Sequence, residues 1–85
     1  MKTGVYLKTF ILRSKNRRLV LEELQKGERT QAQLHQATKL YRTHVRRTLL
    51  ELMEEGLVKC PNPKDRIHKL YHLTKKGKKL LTIID

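Results

Sequence analysis

Between residues 42 and 47 the chain places Arg42, Thr43, His44, Arg46 and Arg47 around a single valine. Arginine offers two parallel N–H groups, which fit the paired acceptors on a guanine edge, and its charge also neutralises phosphate. Threonine and histidine reach base edges or phosphate oxygens. The neighbouring apolar residues Val45, Leu49, Leu52 and Met53 recur at i, i+4, i+7 and i+8, so one helical face is apolar and the opposite face carries the basic set. Acidic residues are held back to Glu51, Glu54 and Glu55, at the far end of the same segment. A second polar group, Asn62, Lys64, Arg66 and His68, is opposed only by Asp65. At a hairpin tip it would lie along phosphates or put Arg66 into a minor groove, whose negative potential attracts arginine.

Other chemistries fit less well. No nucleophile–base pair, phosphate-cradling glycine loop or paired-carboxylate motif is present, so no enzymatic activity is expected. Cys60 is the only cysteine, which excludes an intrachain disulfide and a multi-cysteine metal site. It reads as a half-buried apolar residue at a strand end. His35, His44, His68 and His72 fall on separate segments, and neither a metal nor another cofactor is expected. Tyr6, Tyr41, Tyr71 and Phe10 are too dispersed for a base-stacking platform, which argues against single-stranded partners; Tyr71 reads as core. The 85 residues suffice for one domain and carry a net charge of +12, with a pI near 10.3, which calls for a polyanionic partner. Nothing approaches the ~18–20 apolar residues of a membrane span, and no signal-peptide layout opens the chain. The expected location is the cytoplasm, in association with the nucleoid, with no membrane partner.

The elements that must position these residues follow from caps and breakers. Residues 1–13 form an N-terminal segment whose apolar run, Val5 to Leu12, suits either a short helix or an extended arm. Residues 14–85 form the main domain. Ser14 caps a helix from about Lys15 to Lys26, ended by Gly27, with Val20, Leu21 and Leu24 inward. Thr30 caps a short helix to about Ala37, with Ala32, Leu34 and Ala37 as its apolar face. A turn over Thr38–Tyr41 leads to a helix from Arg42 to Glu55, stopped by Gly56. Leu57–Cys60 and Lys69–Leu73 read as the strands of a hairpin with a long loop, Pro61–His68. Thr74 caps a last helix to about Ile84, despite Gly77 in its first turn. The expected class is mainly α with a small β-hairpin, in the order α-α-α-β-β-α.

A short helix, a tight turn and a longer helix constitute a helix-turn-helix, whose second helix enters the major groove. Leu34, Val45, Leu49, Leu52 and Gly56-Leu57-Val58, followed by Lys69-Leu70-Tyr71-His72-Leu73-Thr74 and Gly77, resemble the winged helix-turn-helix transcription regulators of the MarR/ArsR type, particularly small single-domain archaeal ones. Arg13-Ser14-Lys15-Asn16-Arg17 is similar to that group as well, and the likeness covers about residues 10–82. The resemblance implies double-stranded DNA as partner, base reading by Arg42, Thr43, His44, Arg46 and Arg47, and backbone or minor-groove contact by Lys64 and Arg66, with His68 beside them. Thr30, Gln31 and Lys39 are the expected backbone contacts around the recognition helix. Three residues depart from the family pattern. His35 replaces a small residue, Lys39 replaces the turn glycine and so requires a left-handed residue or another turn shape, and Tyr41 replaces a Ser/Thr cap.

Val5, Tyr6, Phe10 and Ile11 at the start, with Leu80, Leu81, Ile83 and Ile84 at the end, are more apolar surface than one small core needs. They predict a two-fold homodimer, with Val5, Tyr6, Phe10, Leu80, Leu81 and Ile84 at its interface. The expected function is a small sequence-specific transcription regulator, of the repressor kind, with no evident small-molecule effector. The alternatives are an architectural or weakly specific DNA-coating protein and a winged-helix protein–protein adaptor.

Overall fold

Short polar side chains start three of the five helices in the computed structural model, which describes residues 4–84. Its elements are α1 (Gly4–Leu12), α2 (Lys15–Gln25), β1 (Arg29–Thr30), α3 (Gln31–Thr38), α4 (Arg42–Glu54), β2 (Val58–Lys59), β3 (Leu70–Leu73) and α5 (Lys75–Ile84). Residues 1–3 and Asp85, the outer ends of the two expected segments, lie outside the described residues. Ser14 Oγ accepts from Arg17 N at 3.3 Å and opens α2. Thr30 Oγ1 accepts from Gln33 N while Gln33 Oε1 accepts from Thr30 N, a reciprocal capping box that fixes the start of α3. Thr74 Oγ1 accepts from Gly77 N at 3.1 Å and opens α5.

The expected class and order hold, with two additions. The N-terminal segment is a helix, so its apolar residues are presented at helical spacing, with Leu7 and Ile11 inward. A third strand, β1, pairs antiparallel with β3 (Arg29 with Tyr71, Thr30 with Leu70), giving a sheet in the order β1-β3-β2. In the hairpin itself Val58 faces Leu73 and Lys59 faces His72. Alternation along β3 sends Tyr71 and Leu73 into the core and leaves Leu70 and His72 half-exposed.

One core joins all five helices to the sheet. Val20, Leu21 and Leu24 of α2 meet Leu34 of α3, Val45, Leu49 and Leu52 of α4, and Leu57, Val58, Tyr71 and Leu73 of the hairpin. Here one expectation is corrected. Leu80 and Leu81 are 3% and 1% exposed, because α5 turns its apolar face onto α1 and α2 to close this core. They are therefore not available to a second chain. What remains outside is Val5, Tyr6, Leu12 and Ile83, with Phe10 and Ile84 half-buried beside them.

A polar contact and a close backbone approach lock the elements together. Arg17 of α2 donates to the Phe10 carbonyl (2.8 Å), lies over the Phe10 ring, and holds both carboxylate oxygens of Glu51 on α4 at 3.4 and 3.1 Å. On α5, Gly77 comes so close to the Leu57 carbonyl that a Cβ there would collide with it. A glycine inside a helix is a handicap on propensity alone, and this close approach is the reason for it.

Candidate nucleic-acid interface

The turn between α3 and α4 sets the angle of the basic helix, and it is built without the usual glycine. Lys39 takes the left-handed conformation (φ 65°), which costs a residue with a Cβ about 1–2 kcal/mol. Side chains brace it. His35 Nδ1 donates to the Leu40 carbonyl at 2.6 Å, and Thr38 Oγ1 donates to the Leu34 carbonyl while accepting from Leu40 N. His35 is thus a structural member of the turn. Tyr41 stands at the N-cap of α4 with no side-chain hydrogen bond to the helix, and its exposed ring meets His44 edge-on at 5.7 Å.

From that turn, Arg42, Thr43, His44, Arg46 and Arg47 all project into solvent, while Val45, Thr48, Leu49 and Leu52 are buried. The charge order along α4 runs against the helix dipole, with cations at the positive N-terminal end and Glu51 and Glu54 near the other. Electrostatically this lowers helix stability, and it concentrates positive potential where the helix begins.

The wing is held by two side chains of its own. Asn62 Oδ1 accepts from Leu70 N and its Nδ2 donates to the His68 carbonyl, closing the base of the loop. Asp65 Oδ1 accepts from Ile67 N and His68 N at 2.9 and 2.8 Å. Those two amides, His68 first, hold the Asp65 carboxyl below its ordinary range. Lys64, Arg66 and His68 are exposed around this fixed tip.

Helix and wing face each other across a cleft of about 490 Å³ that brings Thr30, Gln31, Arg46 and Arg66 together with Lys69. Gln31 Nε2 also reaches the Arg42 carbonyl at 3.5 Å, which ties the start of α3 to the start of α4. Thr43, Arg46 and Arg47 border a second, shallower hollow around Leu50, so Arg46 belongs to both. Lys39, Arg42, His44, Lys64 and His68 stand outside the two. Residues absent from the expected set also appear. Leu50, 53% exposed, lies one turn beyond Arg46 and Arg47 on the basic face, and Ile67, 81% exposed, stands at the wing tip. Leu50 was detectable as i+7 from Thr43; Ile67 had no signal beyond an apolar residue in a polar loop.

A family model, the HVO_A0261 N-terminal domain, matches residues 7–84. The chain belongs to this family. Solved structures similar to this HVO_A0261-type domain include a MarR family transcriptional regulator from Silicibacter pomeroyi, 28% identical, with a TM-score of 0.74 over 95% of this chain and 57% of that one. BpsR of Bordetella bronchiseptica, whose DNA binding is regulated by 6-hydroxynicotinic acid, is 21% identical with a TM-score of 0.78 over 95% and 69%. A MarR family regulator from Neisseria meningitidis is 24% identical with a TM-score of 0.74 over 92% and 58%. No curated protein matches the sequence. The fold is therefore that of the MarR-family winged-helix regulators, as the resemblance implied, and the chain spans somewhat over half the length of these relatives.

Proposed function

We propose that this domain binds double-stranded DNA sequence-specifically and acts as a small transcription regulator in the cytoplasm, associated with the nucleoid. The observation that carries the reading is the meeting of two exposed basic elements, the start of α4 and the wing, at Arg46 and Arg66 across one cleft. In this reading α4 enters the major groove, with Arg42, Thr43, His44, Arg46 and Arg47 at base edges and phosphates. The wing lays Lys64, Arg66 and His68 on the backbone or in the adjacent minor groove. Thr30 and Gln31, within the cleft, and Lys39, outside it, hold phosphates. The active species is a homodimer joined through the apolar residues left outside the core, Val5, Tyr6, Phe10 and Ile84, with half-sites about one helical turn apart.

Selection of randomised duplex DNA against the purified protein at 150 mM salt tests this directly. An inverted repeat with a defined half-site is the expected product. At that site Arg46→Ala costs about 1–3 kcal/mol and relaxes the preference at one base pair. Equal losses on all sequences would assign Arg46 to phosphate alone. The net charge of +12 favours a second reading, an architectural coat on DNA. Retention of all duplexes alike, with a specificity ratio well below ~10³, would establish it. No retention at all would transfer the domain to a protein-binding adaptor role.

A further inference from the structure

The start of α5 carries Lys75, Lys76, Lys78 and Lys79 within five residues, all exposed, with no acidic residue in the first turn. The arrangement opposes stability twice. Cations stand at the positive end of a helix dipole, and Lys75 repels Lys78 and Lys79 at i+3 and i+4. Among the described residues no carboxylate forms an ion pair with any of the four. Only Lys76 is engaged, its ammonium donating to the Glu55 carbonyl at 3.0 Å.

That contact and the bond from Thr74 Oγ1 to the Gly56 carbonyl fix the cluster at the C-terminal end of α4. The base-facing residues are at the N-terminal end, so roughly 18 Å of helix axis separates Thr43 from Glu55 at 1.5 Å per residue. This is about twice the screening length at physiological salt. The lysines of α5 therefore lie beyond the screened reach of the basic residues at the start of the recognition helix. Lys76 is compensated by the negative end of α4, whereas Lys75, Lys78 and Lys79 make no such contact among the described residues, and uncompensated departures of this kind are expected at functional or strained sites.

We propose that the start of α5 is a second polyanion-binding surface, which takes the phosphate backbone of a second DNA duplex while α4 and the wing hold the first. This rests on the DNA-binding reading above. The protein then bridges duplexes, and its charge is divided between a sequence-reading face and a sequence-blind one.

The test uses an immobilised duplex containing the selected site, a labelled random duplex in solution, and the triple variant Lys75→Gln/Lys78→Gln/Lys79→Gln, with Lys76 left in place. Wild-type protein is expected to capture the labelled duplex at 100 mM salt and release it by 300 mM. The variant should bind the immobilised site within twofold of wild type with an unchanged salt slope, lose at least tenfold in capture, and melt at a higher temperature because the repulsion at the helix start is relieved. Capture unaltered in the variant, or absent from wild type while single-site binding is intact, overturns the proposal. Capture competed by polyglutamate or by anionic vesicles as well as by random duplex would assign the surface to another polyanion. Failure to bind even the immobilised site would instead overturn the DNA-binding reading.

Discussion

Two residues sit at the turn and at the wing that flank the basic helix, and each can be tested alone. Lys39 carries the left-handed residue of the α3–α4 turn. Glycine there removes a cost of about 1–2 kcal/mol and returns about 0.5–1 kcal/mol as lost chain entropy, so Lys39→Gly should stabilise the fold by about 0.5–1 kcal/mol. If Lys39 also holds a phosphate, the same variant should reduce the salt slope of DNA binding by about one. Denaturant titration and binding at several salt concentrations check the two halves separately. Asp65 is the second. Its carboxyl is held below the ordinary 3.8 by the His68 and Ile67 amides. A depressed folded pKa means that its contribution is fully present above about 3.8 and fades as the pH falls from there through the lower folded value. Amide exchange at Ile67 and His68 should therefore stay slow down to about pH 4 and speed up below it, beyond the intrinsic pH trend. In Asp65→Ala it should be fast throughout. At this scale the basic face, the strained Lys39 and the uncapped Tyr41 were legible, because each follows from residue type and position in a helix. The turn-bracing role of His35 was not, since it depends on where the Leu40 carbonyl lies after folding.

The elements were legible wherever a cap and a period coincide. Ser14, Thr30 and Thr74 each begin a helix as their side-chain chemistry predicts, and the α4 stripe of Val45, Leu49 and Leu52 is buried as its spacing requires. β1 was missed because two residues carry no alternation; Arg29 and Thr30 are a strand only by virtue of β3 beside them. The excess of apolar residues on α5 was misassigned for a related reason. Periodicity shows that Leu80 and Leu81 share a face but not whether that face meets the same chain or another. Gly77 supplies the elemental prediction. Alanine there gains up to about 1 kcal/mol in helix propensity yet must push α5 off the Leu57 carbonyl, a displacement of the overpacking kind that costs about 1–3 kcal/mol. Gly77→Ala should lower the melting temperature by several degrees. It should also shift the amide resonances of Leu57 and Thr74, the residues bonded across that junction.

At the scale of the whole molecule, Val5, Tyr6, Leu12 and Ile83 are the large apolar residues that the first and last helices leave exposed after the core closes. If the homodimer uses them, the wild-type protein should sediment at twice the monomer mass at micromolar concentration, and Val5→Glu/Ile83→Glu should sediment as monomer with its helical content intact. Arg17 joins the helix that carries some of these exposed residues to α4, since it holds α1 through Phe10 and α4 through Glu51 at once. The strand order governs how the molecule is made. The central strand of the sheet, residues 70–73, is the last to be synthesised, and its neighbours at 29–30 and 58–59 have no other strand to pair with. The helix-turn-helix is thus synthesised before the strand that completes the sheet. Assembly must wait for loop closures spanning some 40 residues on one side, a long-range requirement that slows folding. A chain stopped before Leu70 would carry every residue proposed here to read bases and have no sheet to hold them.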